Sequence, residues 1–273
     1  MGATQDFILR LTHATPERRA SRSYLKQAKS GNPEAFLSLA ANYLDLAIVY
    51  FGGCLGEAKE VRYDRVEQVF KGLGQYLPYA KRVSDFEFML ANALLENTPE
   101  QASIHSPEPL ITKLRMLAPS RRFAFIAHEL EKWPLRWVSL VMRSRPIELH
   151  RLLSEARCEL CGVSWQSLTE DERACLETIS FTMDASPKLR ASRALCARVA
   201  NYPRVAEIKA LWLELRPELV EVRHRYLPDS LDRDCLLTNI LRGAESAPMN
   251  QPRLLDRVVN TVQFKRYAAI KVS

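Results

Sequence analysis

Between Asp64 and Pro78 the chain reads DRVEQVFKGLGQYLP, with apolar residues at Val66, Val69, Phe70, Leu73 and Leu77. The series i, i+3, i+4, i+7, i+11 keeps one side of a 3.6-residue helix apolar, a pattern that an alternating strand does not produce. The same period recurs along most of the chain. Only 9 of the 273 residues are Gly, and the text is rich in Leu, Ala, Arg and Glu. Gly and β-branched residues serve turns and strands, so the expected class is all-α. A hydrophobic fraction of 47% with 26% charged residues is that of a folded chain. The length allows two domains, or one with a helical extension.

Capping residues divide this text. Thr15 and Pro16 read as N-cap and first residue of a helix closed by Gly31-Asn32. A second helix is expected from Pro33, with Ala35, Phe36, Leu39, Ala40, Tyr43, Leu44, Ala47 and Ile48 inward and Gly52-Gly53 ending it. The Asp64–Leu77 helix follows, and then one capped by Ser84 or Asp85 with Phe86, Met89, Leu90 and Ala93 as its stripe. Asn97 to Glu108, NTPEQASIHSPE, is polar and proline-containing and reads as a linker.

Beyond it, Pro119, Pro134 and Pro146 each stand near a helix start, and short helices joined by tight turns suggest a helix-turn-helix. From about Ser164 the chain continues as helices: one behind a capping box Ser167-x-x-Glu170, then SPKLRASRALCARVA, RVAEIKALWLELR, LDRDCLLTNILRG and PRLLDRVVNTVQF. The expected layout is a helical domain over 1–96, a linker over 97–107, a helix-turn-helix domain over 108–162 and a helical extension over 163–273.

The formal charge of +7 is unevenly spread. Residues 1–30 carry six basic and two acidic side chains, whereas residues 31–100 carry six and ten, a net of −4. Residues 101–170 carry ten basic and seven acidic side chains, a balance compatible with nucleic acid or with a plain solvated surface. No apolar h-region opens the chain, and no apolar run approaches the length of a membrane span. A cytoplasmic protein without membrane contact, its thiols reduced, is therefore expected.

Signs of catalysis are missing. His13, His105, His128, His150 and His224 form no metal or triad pattern, and no Gly-rich phosphate loop or nucleophile elbow occurs. Cys158-Glu-Leu-Cys161 is the one CxxC. No second ligand pair accompanies it, so two small buried residues on one helix face are the simpler expectation. No catalytic residue, metal ligand or cofactor is assigned, and the chain is read as not an enzyme.

Taken in order, GNPEAFLSLAANYLDLA, the Val66-Glu67-Gln68-Val69-Phe70 helix, the polar linker and the helix-turn-helix resemble a bacterial RNA polymerase sigma factor of the extracytoplasmic-function type. The first stretch is similar to the family's Gly-Asp-x-x-Ala-Phe helix. The second is similar to Asp-Leu-Val-Gln-Glu-Val-Phe-x-x-Leu-Trp, with Val66, Val69, Phe70 and Leu73 in register. Leu117-Ala118-Pro119-x-Arg121-Arg122 resembles the family's Leu-Pro-x-x-x-Arg, and Glu131–Arg157 overlays its helix-turn-helix without gaps. The likeness runs from Gln27 to Gly162, about half of the chain.

The resemblance implies two partners, core RNA polymerase and double-stranded promoter DNA, and leaves room for a regulatory protein. Asp64, Glu67, Gln68 and Lys71 would meet the polymerase, and Arg143, Arg145, His150, Arg151 and Arg157 would meet DNA. The departures are specific. MLANALLENTPEQ, where the family's promoter-melting helix is basic, has no Lys or Arg, and Arg143 replaces the glycine of the helix-turn-helix turn. A sigma-derived regulator that does not melt promoters, and an all-helical interaction scaffold with no polymerase link, therefore stand as alternatives to an initiation factor.

Overall fold

A computed structural model describes residues 20–55, 58–98, 108–185, 197 and 199–246. The N-cap expected at Thr15, most of the expected linker, most of the helix expected over 186–200 and the one expected from Pro252 lie outside them. The described residues are helical throughout, with no strand among them. Their order is α1 (20–29), α2 (Pro33–Ala41), α3 (Leu44–Leu55), α4 (Lys59–Tyr76), α5 (Val83–Glu96), α6 (Pro109–Met116), α7 (Pro119–Phe125), α8 (Leu135–Met142), α9 (Pro146–Leu160), α10 (Glu170–Ala185), α11 (Pro203–Tyr226) and α12 (Ser230–Ser246).

Local chemistry explains most boundaries. Gly31 takes φ +92° beyond the end of α1, a left-handed conformation that glycine adopts without a Cβ penalty. Asn32 then caps α2, its Oδ1 accepting from the Ala35 amide at 3.0 Å, with Pro33 at the first turn. Pro109, Pro119 and Pro146 open α6, α7 and α9 in the same way. The capping box expected at Ser167–Glu170 lies two residues further on. Thr169 and Glu172 exchange their side-chain and backbone bonds there, because the chain first makes a single turn at Trp165–Ser167.

The second expected helix divides. A turn at Asn42–Tyr43 separates α2 from α3, and α3 then runs through Gly52-Gly53, where a stop was expected. Tertiary packing overrides the local preference. The Tyr226 ring of α11 lies so close to Gly52 that a Cβ there would stand 2.6 and 2.8 Å from its Cδ1 and Cδ2. Gly52 therefore permits a close approach rather than ending a helix. Every residue from Leu46 to Gly53 is buried, with α4 and α6 packed beside α3 and α11 across it.

One apolar core includes Leu39, Phe70 and Phe86 before the expected linker and Leu114, Phe123 and Leu149 after it. Trp212, Leu219, Leu236 and Ile240 of the C-terminal helices join the same core. It therefore does not divide at residues 97–107. A smaller cluster, containing Cys158, Trp165, Leu168, Cys175, Ile179, Val205 and Ile208, holds α9, α10 and α11 together. No single described helix is long and apolar enough to cross a membrane.

The Gly52–Tyr226 contact gives a test by double-mutant cycle. Gly52→Ala is expected to destabilise by about 1–3 kcal/mol through overpacking. Thermal melts should show Gly52→Ala adding little to Tyr226→Ala, since the colliding ring is then absent. Additive effects would mean that the glycine is needed for another reason.

Candidate docking and nucleic-acid surfaces

On α4, Arg62, Val66, Val69, Phe70 and Leu73 are buried. Asp64, Glu67, Gln68 and Lys71 recur at i, i+3, i+4 and i+7 on another face, so they form one polar stripe. Asp64, Gln68 and Lys71 are exposed, and Glu67 is half-buried. Lys71 Nζ donates to Glu67 Oε2 at 3.2 Å along the helix.

The flank of this stripe is occupied by the C-terminal helix. Asn239 of α12 donates from Nδ2 to Glu67 Oε1 at 2.6 Å, and the Lys71 alkyl chain lies against Gly243. One turn towards the start of α4, Asp232 receives Lys59 Nζ at 2.5 Å and the Tyr63 hydroxyl at 3.2 Å. Lys59 holds the Asp232 carboxyl below the ordinary carboxylate range by donating to it, and the Lys59 ammonium is raised by the same bond. Positions 59, 63, 67 and 71 form one i+4 ridge of α4. They meet residues 232, 239 and 243 of α12 in the same order, so the two helices run parallel. These residues are separated by some 170 positions in the chain, and nothing in the local text of either helix announces the pairing.

Where the helix-turn-helix was expected, the chain forms α8, the turn Arg143–Arg145 and α9 in succession. Arg143 occupies the left-handed position of the turn at φ 52°, which a glycine would take without strain. Its guanidinium carbon lies 3.9 Å from the centre of the Phe88 ring of α5, a contact that holds α8 to α5. Ser139 Oγ donates to the Ser144 carbonyl at 2.6 Å and closes the turn. Arg145 and Glu148 form a capping box, with Glu148 Oε2 accepting from the Arg145 amide at 2.9 Å. That backbone bond, together with the Arg145 guanidinium, holds the Glu148 carboxyl below its ordinary value.

The four arginines and one histidine expected at DNA fall into two groups. Arg143, Arg145 and Arg151 are exposed, and Arg151 pairs with Glu155 at 2.9 Å. His150 and Arg157 are buried and do not reach the surface of α9. Arg157 is 6% exposed. It pairs with Glu129 and donates to Ser180 Oγ, and its guanidinium lies 5.5 Å from the centre of the Trp212 ring. The reason lies in α10 and α11. His150, Ser154, Arg157 and Cys161 form a second stripe of α9 beside the apolar stripe Leu149, Leu153, Ala156 and Leu160. In a two-helix unit that second stripe would face water, whereas here Ile179, Ser180, Ile208 and Trp212 line a small apolar cavity against Ser154, Arg157 and Cys158.

The CxxC pair lies at the end of α9. Cys158 is buried and its thiol is pushed up to about 12, and Cys161 is raised to about 11, in both cases first by desolvation. No group of three or more His, Cys, Asp or Glu side chains able to hold a metal occurs among the described residues. No protein-family model matches the chain, and no curated protein or solved structure is detectably similar to it.

Two outcomes are expected from these placements. Arg157→Ala should destabilise by about 3–5 kcal/mol, because it removes a buried guanidinium that pairs with the largely enclosed Glu129 carboxylate and bonds Ser180. Arg151→Ala should cost less, under about 1 kcal/mol, because Arg151 itself is exposed and the buried Glu155 keeps its pair with Arg121 at 2.7 Å. Equal losses from both would mean that Arg157 is not the interior link described. Native-state alkylation near pH 8, mapped by mass spectrometry, should label the exposed Cys235 and spare Cys158 and Cys161, since the thiolate is the reactive form. Rapid labelling of Cys158 would contradict its burial.

Proposed function

We propose that the protein is a divergent sigma-like transcription factor that binds core RNA polymerase through α4 and reaches promoter duplex through α8 and α9. The observation that carries this reading is the polar stripe of α4. Its apolar opposite face is locked into the core by Val66, Val69, Phe70 and Leu73, while Asp64 and Gln68 remain exposed. A rigid helix with a short polar row is suited to docking a large partner, because its backbone is already ordered before binding. The DNA role draws support from the exposed Arg136, Arg143, Arg145 and Arg151 around the turn between α8 and α9, a cluster of cations of the kind that contacts phosphates.

A second reading, a sigma-derived regulator that holds polymerase without opening promoters, is favoured by α5. This helix would have to present basic and aromatic groups to a separating strand. It contains no Lys or Arg, and it buries Phe86, Phe88, Met89, Leu90 and Leu94.

Affinity purification from the native host should recover the largest polymerase subunits with the wild-type chain. The surface variant Asp64→Lys/Gln68→Lys should lose that recovery while its circular dichroism and melting stay those of wild type. Val69 and Phe70 are unsuitable for this purpose, because both are in the core. Undiminished recovery with the double variant would refute docking through α4. Run-off transcription from a purified complex would exclude the regulator.

A further inference from the structure

α12 differs from the other helices of the core in how it is held. Its two deeply buried apolar side chains are Leu236, 2% exposed, and Ile240, 0% exposed, which enter the groove between α2 and α4. Polar links from several residues supplement them. Asp232 receives Lys59 and Tyr63, Asn239 donates to Glu67, and Arg233 pairs with Asp45 and donates to the Ala41 carbonyl at 3.1 Å. The Lys59–Asp232 and Arg233–Asp45 pairs are partly open to solvent, so added salt weakens them more than it would an enclosed pair. The helix is joined to α11 only through residues 227–229, which are not helical.

The contact is also selective in what it covers. Of the four polar residues in the α4 stripe, Glu67 and Lys71 touch α12, while Asp64 and Gln68 stand one row away. A polymerase surface that used the whole stripe would have to pass through the space that Asn239 and Gly243 occupy. We propose that α12 is an autoinhibitory strap, which sits on the docking face of α4 in the resting chain and must swing out about residues 227–229 before polymerase binds. This rests on the reading of α4 as the docking helix. The close approach at Gly243 suits such a strap. A Cβ at that position would stand 2.7 Å from Lys71 Cγ and 2.5 Å from its Cε, so glycine lets the helix lie directly on the stripe.

Apparent affinity of a gated site falls in proportion to the open fraction. Freeing α12 should therefore raise affinity, and fastening it should lower it. The release variants are Asp232→Lys/Arg233→Glu, which reverses two half-buried charges that hold α12, and Leu236→Asp/Ile240→Asp, which removes the apolar anchors. The fastened variant is Lys71→Cys/Gly243→Cys in a Cys235→Ser chain, compared oxidised and reduced so that both states carry the same substitutions. Limited proteolysis reports whether α12 is free without any polymerase present. Binding of each full-length variant to purified core RNA polymerase is then titrated at low and at moderate salt.

The proposal expects the release variants to be cut within 227–246 and to bind core polymerase about tenfold tighter than wild type, with an open fraction raised by that factor. The oxidised fastened chain should bind at least tenfold more weakly than its reduced form, a difference of about 1.4 kcal/mol. Should the apolar release variant fail to fold, the charge reversal and the oxidised–reduced comparison still decide. If α12 becomes cleavable while all affinities stay equal, the strap is overturned and docking through α4 survives. If no form binds polymerase, even with α12 freed, the docking reading fails and the gate with it.

Discussion

The fold depends on enclosing α3. Every residue from Leu46 to Gly53 is buried, with Ile48, Val49, Tyr50 and Phe51 each at 0% exposure. A helix that is apolar all round has no side to give to water, so other elements must cover every face. α4 and α6 cover two sides, the widened turn at Ile126–Leu130 lies against another, and α11 closes the structure over Gly52. Segments far apart in the chain are thereby drawn into one core. This is why the C-terminal helices pack against the first ones instead of forming a separate body.

Charges follow from that closure. Glu131 is buried by the arrival of α11, and desolvation raises its carboxyl even though Arg223 stands beside it at 3.0 Å. Arg62 is buried with its guanidinium 4.8 Å from the centre of the Tyr226 ring, and Arg157 is enclosed by α10 and α11 beside Trp212. Glu87 accepts from the Tyr43 hydroxyl at 2.9 Å in the interior. By contrast, the links between α12 and the rest lie near the rim, where water competes with each of them. The molecule thus has an interior closed by α11 and an outer face on which α12 rests.

The helical period at Val66, Val69, Phe70 and Leu73 was legible because burial on one face leaves its mark every third or fourth residue. Prolines mark helix starts for a similarly local reason, and Asn32, expected to close α1, caps α2 instead by bonding an amide three positions on. The stop expected at Gly52-Gly53 was misleading. A glycine costs a helix only about 0.5–1 kcal/mol relative to alanine, which packing against Tyr226 readily offsets. Arg157 reads as a surface residue for a related reason. Its side of α9 is polar enough to face water, and α10 and α11 enclose it beside Ser180 and Trp212.

By itself, the sequence determined an all-helical chain, the start of most helices, the apolar stripe of α4 and the helix-turn-helix of α8 and α9. Each of these is governed by interactions reaching no more than a few turns along the chain. Tertiary structure alone decided that the core does not divide at residues 97–107, that Arg157 lies inside, and that α12 rests on Glu67 and Lys71. Those outcomes join residues up to 192 positions apart, as Arg233 with Ala41. Such pairings depend on which surfaces remain uncovered once the other helices have packed, and no local pattern encodes that.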